Sequence, residues 1–178
     1  MAVSLKKCGY ENKPLFQVAK NAIADGGVVV DVGAGLRPQA LVTGERHICV
    51  EPHGEYADAL EAAGYTVVRD TAVAALEAMP AVDTIVALDV IEHMDKAEGL
   101  RFLDVAKRKA KQVVVFTPLG FLPQEETGAT DAWGLHGQHW QKHRSGWMPK
   151  EFDGWITFVD RNFHDHIPAG AFVAVLRQ

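Results

Sequence analysis

Residues 28–38, VVVDVGAGLRP, decide the fold. The apolar run from Gly27 to Val32 is rich in β-branched residues, which pack well on a pleated sheet, and it breaks into a turn carrying Gly33 and Gly35. An apolar run without polar alternation is the pattern of a strand buried on both faces, as in a parallel sheet. Four more such runs follow. Residues 47–50 end in Glu51-Pro52, 65–68 in Arg69-Asp70, 84–88 in Asp89, and 112–116 in Thr117-Pro118. Between them, 55–63 and 96–111 carry apolar residues at helical spacing. The second helix ends in Lys107, Arg108, Lys109 and Lys111, cations that suit a helix C-terminus.

Strands alternating with helices predict a doubly wound α/β fold with right-handed crossovers. Residues 118–149 then lose any period and gather Gly, His and Trp, in a connection much longer than the usual ~2–6 residues. Their position beyond the fifth strand, at the sheet edge where ligands bind, would let them exclude water and position an acceptor as a lid. Two β-like stretches, 155–159 and 171–176, predict a terminal antiparallel pair. The expectation is one domain over 1–178, Rossmann-like, with a mostly parallel sheet of about seven strands.

The chain has 178 residues, and its 48% hydrophobic content suits a folded protein with a sizeable core. Its 18 Lys and Arg against 23 Asp and Glu give a formal charge of -5, the wrong sign for a general grip on nucleic acid or anionic lipid. No run approaches membrane-spanning length. Two cysteines, Cys8 and Cys49, cannot build a disulfide framework, and no secretory leader is read, so a reducing cytoplasmic setting is expected.

In an open parallel sheet, ligands bind beyond the carboxyl ends of the strands. Here the strands carry Asp31, Glu51, Asp70 and Asp89 toward that edge. The string after Asp31, G-A-G-L-R-P, has Pro38 where a dinucleotide fingerprint needs its third small residue, which weighs against NAD. Carboxylates complement a ligand with a cationic end and repel a pyrophosphate. S-adenosylmethionine is such a ligand.

With VVVDVGAGLRP at 28–38, VEP at 50–52, ALDVIEHM at 87–94 and VVVFTP at 113–118, the chain resembles the class I S-adenosylmethionine-dependent methyltransferases. The resemblance implies S-adenosylmethionine as cofactor. Gly33 and Gly35 would let the backbone approach it, Asp31 would lie by its methionine portion, and Glu51, followed by Pro52, would take the ribose hydroxyls. Asp70 would meet the adenine amino group, with Arg69 or Thr71 as alternative neighbours. Leu88 and Asp89 would flank the cofactor. The string EHM resembles a variant in small-molecule members, so His93 would face the transferred methyl as a base; the alternative is a packed histidine. For a hydroxyl acceptor, His139 and His143 are further candidate bases. TPLGFLPQ at 117–124 and QKHRSGW at 141–147 resemble a bacterial methyltransferase subgroup with surface-polysaccharide chemistry.

The implied activity is methyl transfer to a small-molecule or sugar-containing acceptor. No nucleic acid or membrane partner is expected, and the short chain leaves room for a homodimer that completes the acceptor site. A non-catalytic cofactor-binding regulatory module and an NAD-dependent oxidoreductase are the competing readings. The tryptophans Trp133, Trp140, Trp147 and Trp155 either form the lid or pin a long loop to the body. His136, His139 and His143 would share a face if helical, with Asp131 near, but Gly134, Gly137 and Gly146 oppose a helix there and no paired-cysteine spacing occurs. No metal is expected. Cys49 lies within an apolar strand, where burial makes a thiol unreactive.

Overall fold

Valine at four of the five positions of β1 (Val28–Val32) suits that strand to the interior of the sheet, where it is paired on both sides. The computed structural model describes residues 3–6, 12–23, 27–38, 46–123, 133–164 and 169–178. Among them, β2 (Arg46–Val50), β3 (Thr66–Val68), β4 (Val82–Leu88), β5 (Ala110–Pro118), β6 (Ile156–Asp160) and β7 (Ala171–Arg177) complete a sheet in the order β3-β2-β1-β4-β5-β7-β6. The first five strands are parallel, and β7 lies antiparallel between β5 and β6. The order reverses between β1 and β4, so the two strand ends diverge there and open a crevice.

The alternation of side chains along each strand builds two cores. Val30, Val32, Ile85, Ala87, Val113 and Val115 pack with α3 (Ala72–Ala78) and α4 (Lys96–Lys109) on one face. Val29, Val86, Val114 and Phe116 pack with α1 (Pro14–Ala22) on the other, and α2 (Gly54–Ala62) covers Cys49 through Leu60. The sheet, α2, α4 and the terminal pair match the sequence expectation closely. The last residues assigned to the second helix differ: α4 stops at Lys109, and Ala110 and Lys111 begin β5, where they extend the pairing with β4. The basic run is anchored piecemeal, with Lys109 donating to the Met79 carbonyl at 2.5 Å and Lys111 paired with Asp83 at 2.7 Å. The polar turn expected between the last strands falls partly at 165–168, outside the described residues. No helix of the described residues is long and apolar enough to cross a membrane.

The stretch after β5 is tied back to the sheet. Gly120 N–H donates to the Trp147 carbonyl at 2.7 Å, and the Arg144 and Ser145 amides both donate to the Glu92 carbonyl, at 2.8 and 3.1 Å. Trp147 is fully buried, and its indole N–H donates to Ser145 Oγ at 2.9 Å and to the Ile91 carbonyl at 3.2 Å. Its ring lies against Gly99 of α4, where any Cβ would overlap it. Alanine ordinarily favours a helix interior over glycine by ~1 kcal/mol. Gly99→Ala therefore lowers the thermal unfolding midpoint instead of raising it, and a midpoint at or above that of the parent chain contradicts this packing.

Candidate active site

The carboxyl ends of β1, β2 and β4 open into a cleft of about 730 Å³, part of it continuous with solvent. Gly33 begins its floor, at φ 64°, and a Cβ there would sit 2.8 Å from Val90. That combination of left-handed backbone and close packing admits only glycine at low cost. Gly35 follows at φ 55° and turns its N–H onto Glu51 Oε2 at 2.8 Å, while the His53 amide donates to Glu51 Oε1 at 2.9 Å. The turn after β1 and the end of β2 thus clamp one carboxylate.

Glu51 is 3% exposed, and burial raises its pKa above the ordinary carboxylate range against the opposing pull of the two backbone donors. A carboxyl whose pKa is higher folded than unfolded binds more protons in the native state, so its contribution to stability declines as pH rises from the unfolded to the folded value. Glu51→Gln removes that contribution. Urea unfolding of the two proteins from about pH 4 to 7 is expected to show a shallower decline in the variant; parallel profiles contradict it.

The opposite wall comes from α2 and from the far part of the long connection. Tyr56, Trp133, Trp140, Gln141 and Arg144 line it. Gln141 Nε2 donates to the Tyr56 hydroxyl at 2.7 Å, and Tyr56 packs edge-on to Trp133 at 4.9 Å. The Trp133 ring lies over Gly35 so closely that a Cβ would collide with it, and Arg37 lies 5.5 Å above that ring. Arg144 donates from Nη1 to the His93 carbonyl and from Nη2 to the His139 carbonyl, each at 2.6 Å. The tryptophans of this stretch divide: Trp133 and Trp140 line the cleft, whereas Trp147 and Trp155 join the core.

Of the candidate residues, Gly33, Gly35, Glu51, Pro52, Asp89 and His93 meet in the cleft. Asp89, at φ 57°, has its carboxyl pushed up to about 6 by burial, with Arg37 opposing. Burial, then the neighbouring His143, push the His93 ring down to about 4. Leu88 lies in the core beside α1. Asp31, 1% exposed, is placed by strand alternation away from the cleft, where Oδ2 meets His47 Nε2 at 3.1 Å. Asp70 is exposed and caps the Thr71 amide at 2.7 Å, while Thr71 itself lines the cleft and Arg69 pairs with Asp58 and Glu61. Burial pushes the Cys49 thiol far up, in keeping with an inert group. Cys8 and Asp131 lie outside the described residues.

The three histidines expected on one helical face separate. Only Gln138–Gln141 (α5) is helical; His136 stands exposed at φ 58°, 3.5 Å from Glu55, and His139 is exposed beside Arg144. His143 turns inward, its Nδ1 2.7 Å from the Leu122 carbonyl and its ring centroid 4.9 Å from that of His93. Sequence reasoning did not single out Tyr56, Gln141 or Arg144 for the cleft. Gln141 and Arg144 both lie in the QKHRSGW stretch at 141–147, which is the signal that pointed to them; Tyr56 has none.

This sheet order, with its antiparallel insertion, and the cleft beside the glycine turn define the fold of the class I S-adenosylmethionine-dependent methyltransferases. A SAM-dependent methyltransferase from Archaeoglobus fulgidus superposes with a TM-score of 0.63 at 14% identity, covering 92% of this chain and 91% of that one. Magnesium protoporphyrin IX methyltransferase from Synechocystis PCC 6803, solved with bound SAM, gives 0.57 at 15% identity, over 92% of this chain and 78% of that one. The N-terminal domain of EvdMO1, solved with SAH and D-fucose, gives 0.61 at 12% identity, over 95% and 84%. No protein-family profile and no curated protein matches the sequence.

Proposed function

We propose that the chain is an S-adenosylmethionine-dependent methyltransferase acting on a small-molecule or sugar-containing acceptor, with 118–149 serving as its lid. The observation that carries the reading is Glu51: a buried carboxylate at the end of β2, held by the Gly35 and His53 amides and facing the cleft. Each of its oxygens retains acceptor capacity for a ribose hydroxyl. The cleft fits the remainder of that cofactor, with Val32, Val50, Ala72 and Met94 as apolar wall, Gly33 and Gly35 as close-approach backbone, and Asp89 as the acid for a cationic end. NAD fits less well, because Pro38 stands where the dinucleotide fingerprint needs its third small residue and the carboxylates of Glu51 and Asp89 in the cleft repel a pyrophosphate. The solved neighbour with D-fucose supports the sugar-containing class of acceptor.

When bound, the cofactor supplies an electrophilic methyl on a sulfonium. The chain's own part is to align the acceptor and keep water out, the contribution of positioning in a dry site. Trp133 and Trp140 present the large apolar area this requires, and Arg144 ties the wall they belong to onto the turn carrying His93. Of His93, His139 and His143, only His93 lines the cleft, which makes it the proton acceptor when the acceptor is a hydroxyl. His93→Ala is expected to lower turnover by about 10²–10⁴-fold and to leave cofactor affinity nearly unchanged. The test is transfer of labelled methyl from S-adenosylmethionine to a panel of sugars, phenols and amines. Label in one acceptor class supports the proposal. Tight cofactor binding with no transfer across the panel favours a cofactor-binding regulatory module.

A further inference from the structure

Behind the cleft wall formed by His93, three metal-ligating side chains converge. Glu92, His93 and His143 each present a donor atom, and these atoms lie within 4.8 Å of one another. The residues come from different places: Glu92 and His93 from the turn after β4, Ile91–His93, and His143 from the long connection, brought in by the two amides that bond the Glu92 carbonyl.

Glu92 is 2% exposed; Thr117 Oγ1 donates to its Oε2 at 2.9 Å, yet its Oε1 has no hydrogen-bond partner. His93 Nδ1 is likewise buried without one. Buried polar atoms left unpaired cost ~1–3 kcal/mol each, more when charged, so two of them side by side call for an occupant. His143 has the disposition of a ligating imidazole, one ring nitrogen on a backbone carbonyl, which leaves the other as the donor. Glu92 is oriented by Thr117 in the same way.

We propose that Glu92, His93 and His143 bind one divalent first-row transition cation. Two imidazoles and a carboxylate suit Zn²⁺, Mn²⁺, Fe²⁺ or Co²⁺, and three protein ligands leave at least one position open for water or an acceptor oxygen. With the cation bound, His93 would be one of its ligands and the cation would supply Lewis-acid polarisation of an acceptor hydroxyl; without it, His93 is the free imidazole that takes the proton. This assignment depends on the methyltransferase reading only for what the cation does; binding itself stands apart from it. A second cluster, Asp31, His47 and Cys49, is as close together. Its members already bond one another, His47 Nε2 lying 3.1 Å from Asp31 and 3.7 Å from the Cys49 sulfur.

The test uses the full chain without an affinity tag, incubated with Zn²⁺, Mn²⁺ or Co²⁺, desalted, and assayed for retained metal by atomic emission. Cobalt binding is also followed by its visible absorption. One equivalent per chain is expected. Affinity falls at least about tenfold in His143→Ala and in Glu92→Gln, while S-adenosylhomocysteine binding, measured in the same samples, persists. Far-ultraviolet circular dichroism establishes that each variant is folded, and the isosteric Glu92→Gln guards against collapse of the buried turn. Three results overturn the proposal: no retained cation in the folded parent chain, equal retention in His143→Ala, or retention abolished by His47→Ala instead.

Discussion

Glu51→Ala is expected to weaken S-adenosylhomocysteine binding by about 10²–10⁴-fold. Two hydrogen bonds from ribose hydroxyls to a charged acceptor are worth ~1.5–3 kcal/mol each, and every ~1.4 kcal/mol is a factor of ten in affinity. The carboxylate is already positioned by the Gly35 and His53 amides, so little ordering cost offsets those bonds. The substitution also strands both amides, which disturbs the glycine turn and adds to the loss. Glu51→Gln keeps one acceptor oxygen and is expected to fall between alanine and the parent chain. Calorimetry on both variants, with unfolding curves to show that each is folded, checks the order. Equal affinity in Glu51→Ala contradicts the assigned role.

Trp147→Ala carries the largest expected loss of stability. The side chain is fully buried between Gly99, Phe152 and the turn after β4, with Lys96 Nζ 3.5 Å above the ring and two hydrogen bonds from its indole N–H. Truncating a buried tryptophan to alanine costs ~3–5 kcal/mol. At ~2–4 °C per kcal/mol for a domain of this size, the unfolding midpoint falls by roughly 6–20 °C. The neighbouring Arg144 and Ser145 contacts to Glu92 also loosen, so the cleft wall is affected. Trp147→Phe retains most of the apolar area and loses the indole donor, and is expected to cost less. A midpoint within about 2 °C of the parent in Trp147→Ala contradicts the anchoring role.

Much of this arrangement was legible in the chain. Buried parallel strands write themselves as uninterrupted valine-rich runs, and both Gly33 and Glu51 follow such runs directly. What escaped has definite causes. In α3, AVAALEA, five of seven residues are alanine or valine, so no polar face marks the helix against a buried strand. Tyr56 and Gln141 meet through a hydrogen bond spanning 85 residues, a contact that only the assembled sheet creates. The histidines show the limit most clearly. Their spacing in sequence groups His143 with His136 and His139, whereas the fold groups it with Glu92 and His93. The left-handed turn at His136 and the single turn of α5 break the regular spiral on which that spacing argument depended.

The strand ends distribute the four acids by the same geometry. Side chains alternate along a strand, so Asp31, one residue short of the end of β1, turns toward His47, while Glu51 and Asp89 lie just past the ends of β2 and β4 and reach the cleft. Position relative to the strand end, more than the presence of an acid, determines which carboxylates face a ligand.

The most direct test of the account is calorimetric titration of the purified chain with S-adenosylhomocysteine, with NAD run in parallel. Saturable binding with a dissociation constant on the order of micromolar, and none for NAD, is the result the account predicts. A folded protein that gives no heat of binding at millimolar S-adenosylhomocysteine, or that binds NAD in its place, would contradict it.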